Sequence, residues 1–234
     1  MGMKRAGVIA GLLGVAAVLT GCGLAGPLDE DTKSYDVTDK VAGIRIGSDS
    51  GTVEVVESDR QGIHVTEHLV WRKNKPEATH GVEGDTLALT YKCPRSWGLG
   101  SGAAACDVNY KVEIPKGLRV KIDSDSGDLT LKGLSGEVDV RSDSGVIEAG
   151  GLSGKRVVTE TDSGDVELVF TAQPDKVVSS SDSGSITVRV PQGPYNVIAK
   201  TDSGSKDVTA ATDASAPRTI ELSSDSGNLE VATP

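Results

Sequence analysis

Seven times the chain writes Asp-Ser-Gly, setting a carboxylate beside a hydroxyl: Asp49, Asp125, Asp143, Asp162, Asp182, Asp202 and Asp225 each begin a copy. The tripeptide is also the local signature around an aspartic-protease carboxylate. That chemistry needs two aspartates facing each other in a buried pair that shares one proton. Seven copies in a repeating register point to a turn instead. A serine nucleophile needs a base, and the chain holds only His64, His68 and His80 and has no Gly-x-Ser-x-Gly elbow. His64 and His68 share a strand face, but four strand residues separate them by about 13 Å, too far to hold one metal. No catalytic residue and no metal ligand is assigned. A glycan-cleaving parallel β-helix, working with paired carboxylates, is the enzyme alternative. Against it, no cluster of Arg, Lys and aromatic groups marks a sugar cleft, and aromatics make up 3% of the chain.

The elements that carry these carboxylates follow from the spacing. Gly127, Gly145, Gly164, Gly184, Gly204 and Gly227 close successive copies at intervals of 18 to 23 residues. A period near twenty marks a repeat architecture in which one short unit stacks on the next. After each glycine the residues alternate polar and apolar, as in Asp128-Leu129-Thr130-Leu131 and Ser185-Ile186-Thr187-Val188, which is strand chemistry. Gly-Leu-Ser-Gly at 133–136 and again at 151–154 marks the half-period. The expected fold is all-β, a β-solenoid of coils of about twenty residues with two strand-and-turn halves each.

Phasing the strand that enters each corner separates its side chains. In Val138-x-Val140-x-Ser142 the apolar face runs into the serine, so Asp143 points the other way. Stacking then predicts two columns. Ser48, Ser124, Ser142, Thr161, Ser181, Thr201 and Ser224 face inward, and the seven aspartates face outward or curl back onto the turn amides, with glycine supplying positive φ. Adjacent coils lie about 4.8 Å apart, where like charges repel by about 1 kcal/mol in water. Turn amides and solvent relieve that repulsion, or cations such as Ca²⁺ sit along the ladder. No cofactor is otherwise expected.

The ends and the composition fix a location. Lys4 and Arg5, an apolar run from Ala6 to Val18 and then Leu19-Thr20-Gly21-Cys22 have the form of a bacterial lipoprotein signal. Residues 1–21 are expected to be removed and Cys22 lipidated, with 22–34 as a tether. The implied site is the outer face of the cytoplasmic membrane. Cys93 and Cys106 then remain, an even pair outside the cytoplasm, and are expected to form a disulfide. The formal charge is −10, and removing Lys4 and Arg5 takes it to −12. An acidic chain without basic clusters argues against nucleic acid as a partner.

Residues 35–234 are expected to form one β-solenoid, with irregular N-terminal coils over 35–117 and regular repeats over 118–234. Strand candidates in the irregular part are Tyr35–Val37, Val41–Ile46, Thr52–Val56, Ile63–Trp71, Thr86–Tyr91, Val108–Ile114 and Leu118–Ile122. The segment between Trp71 and Gly84 is expected to be a connection. The last coil, ending at Pro234, is expected to form the open end of the stack.

The run from Ser124 to Gly145, and Cys93 and Cys106 ahead of Tyr110-Lys111-Val112-Glu113-Ile114-Pro115-Lys116-Gly117, are the residues that carry a family likeness. With them the chain resembles the putative-adhesin β-strand-repeat family of bacterial envelope proteins, domain of unknown function 4097, and its actinobacterial lipoprotein members. The resemblance implies a β-solenoid and an envelope location, and supplies no catalytic residues. The functional expectation is a lipid-anchored, non-catalytic interaction, adhesion or scaffold surface for an envelope protein or polysaccharide. The alternative is a Ca²⁺-responsive envelope module.

Overall fold

Alternation in the sequence becomes alternation in burial. In Arg119–Ser126, Val120, Ile122 and Ser124 are buried while Lys121 and Asp123 lie half-exposed between them. The computed structural model describes residues 27–94 and 105–233. Among them are nineteen strands and no helix. In chain order these are β1 (Asp29–Val37), β2 (Gly43–Ser48), β3 (Val53–Ser58), β4 (Ile63–Trp71), β5 (Glu77–Glu83), β6 (Thr86–Lys92), β7 (Cys106–Pro115), β8 (Arg119–Ser126), β9 (Leu129–Lys132) and β10 (Val138–Ser144). They continue as β11 (Ile147–Leu152), β12 (Arg156–Ser163), β13 (Val166–Phe170), β14 (Lys176–Ser183), β15 (Ile186–Arg189), β16 (Asn196–Ser203), β17 (Lys206–Val208), β18 (Thr219–Ser226) and β19 (Leu229–Ala232).

The strands form two parallel-rich sheets. A nine-stranded sheet runs β16-β18-β14-β12-β10-β8-β2-β6-β5, and a ten-stranded sheet runs β1-β4-β7-β3-β9-β11-β13-β15-β19-β17. Each strand of the first except β5 is followed, one corner later, by a strand of the second, and such a pair makes one rung. Val120, Val138, Val157 and Val177 pair in register on successive rungs, as do Leu129, Ile147, Val166 and Ile186. The apolar faces of both sheets share one core, which Val140, Leu168, Phe170 and Tyr195 fill at 1% exposure or less. Each buried aliphatic side chain contributes about 1.5–3 kcal/mol relative to exposure. Thr159 and Ser179 replace aliphatics in the middle of this core and bond to each other at 2.7 Å.

Three features depart from the expectations above. The expected tether is shorter, because Asp29–Ser34 already belong to β1, paired antiparallel with β4. The segment after Trp71 contains β5, which hairpins back on β6; its sequence, Glu-Ala-Thr-His-Gly-Val-Glu, has too little apolar alternation to show as a strand. The third concerns order. The last rung in sequence, β18–β19, lies between β14–β15 and β16–β17, so the penultimate rung forms the open end.

Candidate functional site

The Asp-Ser-Gly copies stack into one corner column. Ser48, Ser124, Ser142, Thr161, Ser181, Ser224 and Thr201 pair in register from rung to rung, in that spatial order. Six of these hydroxyl residues are buried, and Thr201, on the outermost rung, is half-buried. Ser142 Oγ donates to Ser144 O at 2.9 Å, and Ser224 Oγ donates to Gly184 O of the neighbouring rung at 3.0 Å. Ser124, Thr161 and Ser181 bury hydroxyls without a partner among the described residues.

Close stacking sets the glycines. A Cβ on Gly127 would sit 2.1 Å from Gly51 O, and one on Gly227 would sit 1.9 Å from Gly184 O. Positive φ, the reason expected from sequence, holds at Gly51, Gly127, Gly145 and Gly164 only. The approach of neighbouring carbonyls is what all seven positions share.

Asp49, Asp125, Asp143, Asp162, Asp182, Asp202 and Asp225 are all exposed along the outside of this column. None makes a side-chain hydrogen bond or ion pair among the described residues, so they do not cap the turn amides. That work falls to the residue after the glycine. Asp128 Oδ1 accepts from Val146 N at 3.0 Å, Asp165 Oδ1 from Ser185 N at 2.8 Å, and Asn228 Oδ1 from Ser205 N at 2.9 Å. Asn109 serves Thr52 N in the same way at 2.8 Å. In spatial order this position reads Asn109, Thr52, Asp128, Val146, Asp165, Ser185, Asn228, Ser205: an acceptor on every second rung. The alternation fails in sequence order, where Ser205 follows Ser185. It was a signal in the sequence for the inserted last rung.

At the β6–β7 end the column closes differently. Tyr91 takes the place of the inward serine one rung beyond Ser48, and its hydroxyl both donates to Ser50 O and accepts from Ser50 N. The Cys93–Cys106 disulfide, with Cα atoms 6.0 Å apart, joins β6 to β7 where other rungs use Asp-Ser-Gly. On β4, between β1 and β7, lies the centre of a polar cluster. Glu67, in β4, faces the core at 2% exposure and accepts from Tyr35 Oη at 2.7 Å. Burial, reinforced by the Glu67 carboxylate, pushes the Tyr35 hydroxyl well above its ordinary pKa, and does the same to Tyr110. Tyr110 Oη is buried without a partner among the described residues.

The other side chains of chemical interest are occupied elsewhere. His64 bonds to Asp36 at 2.9 Å, His68 to Thr32 at 3.0 Å, and His80 stacks on Tyr35 at 4.1 Å. Among the described residues no group of three His, Cys, Asp or Glu is placed to hold a metal ion, and no helix is long and apolar enough to cross a membrane. Cys22 lies outside the described residues. A second row of carboxylates crosses the outer face of the ten-stranded sheet, where Glu54, Thr130, Glu148, Glu167, Thr187, Glu230 and Asp207 stand in register. Lys132 pairs with Glu54 at 2.6 Å, and Arg189 pairs with Glu167.

The sequence model of the Toastrack DUF4097 family matches residues 112–232, which take in every regular rung from β8 to β19. The chain belongs to that family. Two solved structures share the fold of the Toastrack chain over most of its length. One is a "putative adhesin" from Bacteroides fragilis NCTC 9343, 16% identical, with a TM-score of 0.53 over 91% of this chain and 100% of that one. The other is a "putative cell adhesion protein" from Clostridium sporogenes ATCC 15579, 14% identical, with a TM-score of 0.52 over 89% and 100%. No curated protein matches the sequence. The match to the family model begins inside β7, and the antiparallel strands β1, β4 and β5 lie ahead of it.

Proposed function

We propose that the chain is a non-catalytic surface protein of the bacterial envelope, a β-solenoid with coils of about twenty residues that holds partners along its rows of exposed side chains. The observation that carries this is the arrangement of its acidic groups. The corner column repeats a carboxylate at the rung spacing of about 4.8 Å, and the outer row of the ten-stranded sheet adds Glu54, Glu148, Glu167, Glu230 and Asp207, with Thr130 and Thr187 between them. A row of like groups at a fixed interval fits an extended partner with its own repeat, whether an envelope polysaccharide or a protein strand. The two structural neighbours named as adhesion proteins support the reading at the level of fold.

The proposal includes lipidation at Cys22 and residence on the outer face of the cytoplasmic membrane. From Cys22 to the first strand residue, Asp29, the chain advances seven positions and spans at most about 25 Å. An acyl anchor there would hold the β1 end close to the membrane. The test is capture of envelope components on the membrane-bound protein, against a variant carrying Asp125→Asn, Asp143→Asn, Asp162→Asn and Asp182→Asn. Loss of capture in the variant supports the reading, and equal capture by both overturns it. Release of the protein from membranes by Cys22→Ser checks the anchor separately.

A second reading has one observation in its favour: the seven ladder aspartates stack without a side-chain hydrogen bond or ion pair among the described residues. Ca²⁺ between neighbouring carboxylates would relieve that repulsion. A rise in melting temperature at millimolar Ca²⁺, abolished by Asp143→Asn with Asp162→Asn, supports it, and an unchanged melting temperature removes it.

A further inference from the structure

The two ends of the stack are built differently. At one end β1 and β5 run antiparallel to their neighbours. At the other, β16 is the outermost strand of the nine-stranded sheet, with β18 as its one strand neighbour; residues 211–213 bridge to Tyr195 just ahead of it, and the edge is open from Val197 on. Asn196 N donates to Arg218 O at 2.8 Å, so the alternate residues Val197, Ala199 and Thr201 turn their N–H and C=O groups to the open edge. Their equivalents one rung in, Ile220, Leu222 and Ser224, are buried, whereas Val197, Ala199 and Thr201 are only half-covered. On the outer face beside them Ile198 is 41% exposed. An edge with open backbone groups, a half-covered core and an exposed isoleucine is a template for one more strand.

The charges on that edge select which strand. Lys200 and Asp202 are both exposed and stand two residues apart. Antiparallel pairing about a two-fold axis at Thr201 puts Lys200 opposite Asp202 of a second copy and Asp202 opposite its Lys200. It also sets Ile198 against Gly204, where no side chain competes for space. Centring the axis on Lys200 would oppose two lysines, and centring it on Asp202 two aspartates. Centring it on Ala199 would set Ile198 against Lys200. A lone lysine on an edge strand discourages pairing with any neighbour. With Asp202 beside it, the edge becomes complementary to itself.

We propose that β16 pairs with β16 of a second copy of this chain, joining two stacks end to end into a dimer with continuous sheets. The pairing goes beyond the surface function above and stands whether or not that surface finds a partner. A nine-stranded sheet spans about 40 Å across its strands, so the dimer would be about 80 Å long with the two β1 ends at its extremes. The full chain with Cys22→Ser, which removes any acyl contribution, tests it by light scattering over a dilution series and by small-angle scattering. A dimer with about twice the monomer's longest dimension is expected. Lys200→Asp and Asp202→Lys should each weaken dimerisation at least tenfold, and the double exchange should restore it to within about threefold of the parent. Ala199→Pro removes an edge N–H that has no partner among the described residues, and should give a monomer whose melting temperature is unchanged. A monomer at every concentration up to millimolar, a dimer no longer than the monomer, or equal dimerisation by the single and double charge variants would each overturn the proposal.

Discussion

The inserted last rung makes a prediction that sequential stacking contradicts. Val178 on β14 pairs in register with Glu221 on β18, and Glu221 in turn with Ile198 on β16. Adjacent strands lie about 4.8 Å apart, so Val178 and Glu221 are neighbours while Val178 and Ile198 are about 10 Å apart. If the rungs stacked in sequence order the distances would be exchanged, and Val178 would sit beside Ile198. A disulfide requires Cα atoms about 4.4–6.8 Å apart, which separates the two cases cleanly. In a Cys22→Ser background, Val178→Cys with Glu221→Cys should oxidise to an internal disulfide. Val178→Cys with Ile198→Cys should keep both thiols free under the same mild oxidant. All three positions lie on the outer face, so the oxidant reaches them without unfolding. Replacing Glu221 removes only its exposed contact with Lys176, worth about 1 kcal/mol or less. Thiol titration and peptide mass mapping read the result. Ready oxidation of the 178–198 pair, with the 178–221 pair left free, would refute the inserted order and the β16 edge with it.

Other consequences are as direct. Gly145→Ala adds a methyl 2.4 Å from Gly127 O at a φ of 118°, and should cost about 2–4 kcal/mol in urea unfolding, whereas Gly150→Ala, with nothing within 4 Å, should be nearly neutral. Tyr35→Phe leaves the buried Glu67 carboxylate without its donor and should cost about 1–3 kcal/mol, while Tyr110→Phe removes a hydroxyl with no partner among the described residues and should cost little or stabilise. Both tyrosines have folded pKa values raised above the unfolded one. Their contribution is therefore full below about pH 10 and is lost as pH climbs from there toward the folded values, and Tyr110→Phe should flatten the alkaline loss seen in unfolding midpoints against pH. Reducing Cys93–Cys106 should lower stability by about 2–4 kcal/mol, checked by urea unfolding with and without reductant.

The regular half of the fold was legible because its period is short and its corners repeat. Val138, Val140 and Ser142 announce by alternation alone which face is buried, and the register they predict is the one β8, β10, β12 and β14 adopt. Three kinds of information were hidden. β5 is an edge hairpin strand with little apolar content, so its partner β6 defines it more than its own residues do. Glu67 stands at the apolar parity of Ile63, Val65 and Leu69, so alternation marks it as inward, but nothing in the sequence names Tyr35 of β1 as its donor. The order of the last two rungs leaves no mark on hydrophobicity, because Val197 and Ile220 are equally suited to either place. It does leave one on hydrogen-bonding capacity, in the alternation that Asn228 completes between Ser185 and Ser205.

Dissecting the corner residue by residue separates fold from function within four positions. The Ser or Thr fills the inside of the turn, the glycine admits the neighbouring carbonyl, and the Asp or Asn after the glycine binds the next amide on alternate rungs. The aspartate between them makes no side-chain hydrogen bond or ion pair among the described residues and repels its copies above and below. A side chain that only had to be polar and small at a turn could as well be Asn or Ser at most rungs, with less repulsion between neighbours. Stacking alone gives no reason for seven carboxylates at this position. Their persistence at every rung is what a surface that presents negative charge at a fixed interval requires, and it places the corner, rather than any enclosed cavity, first among the parts of this protein to test against a partner.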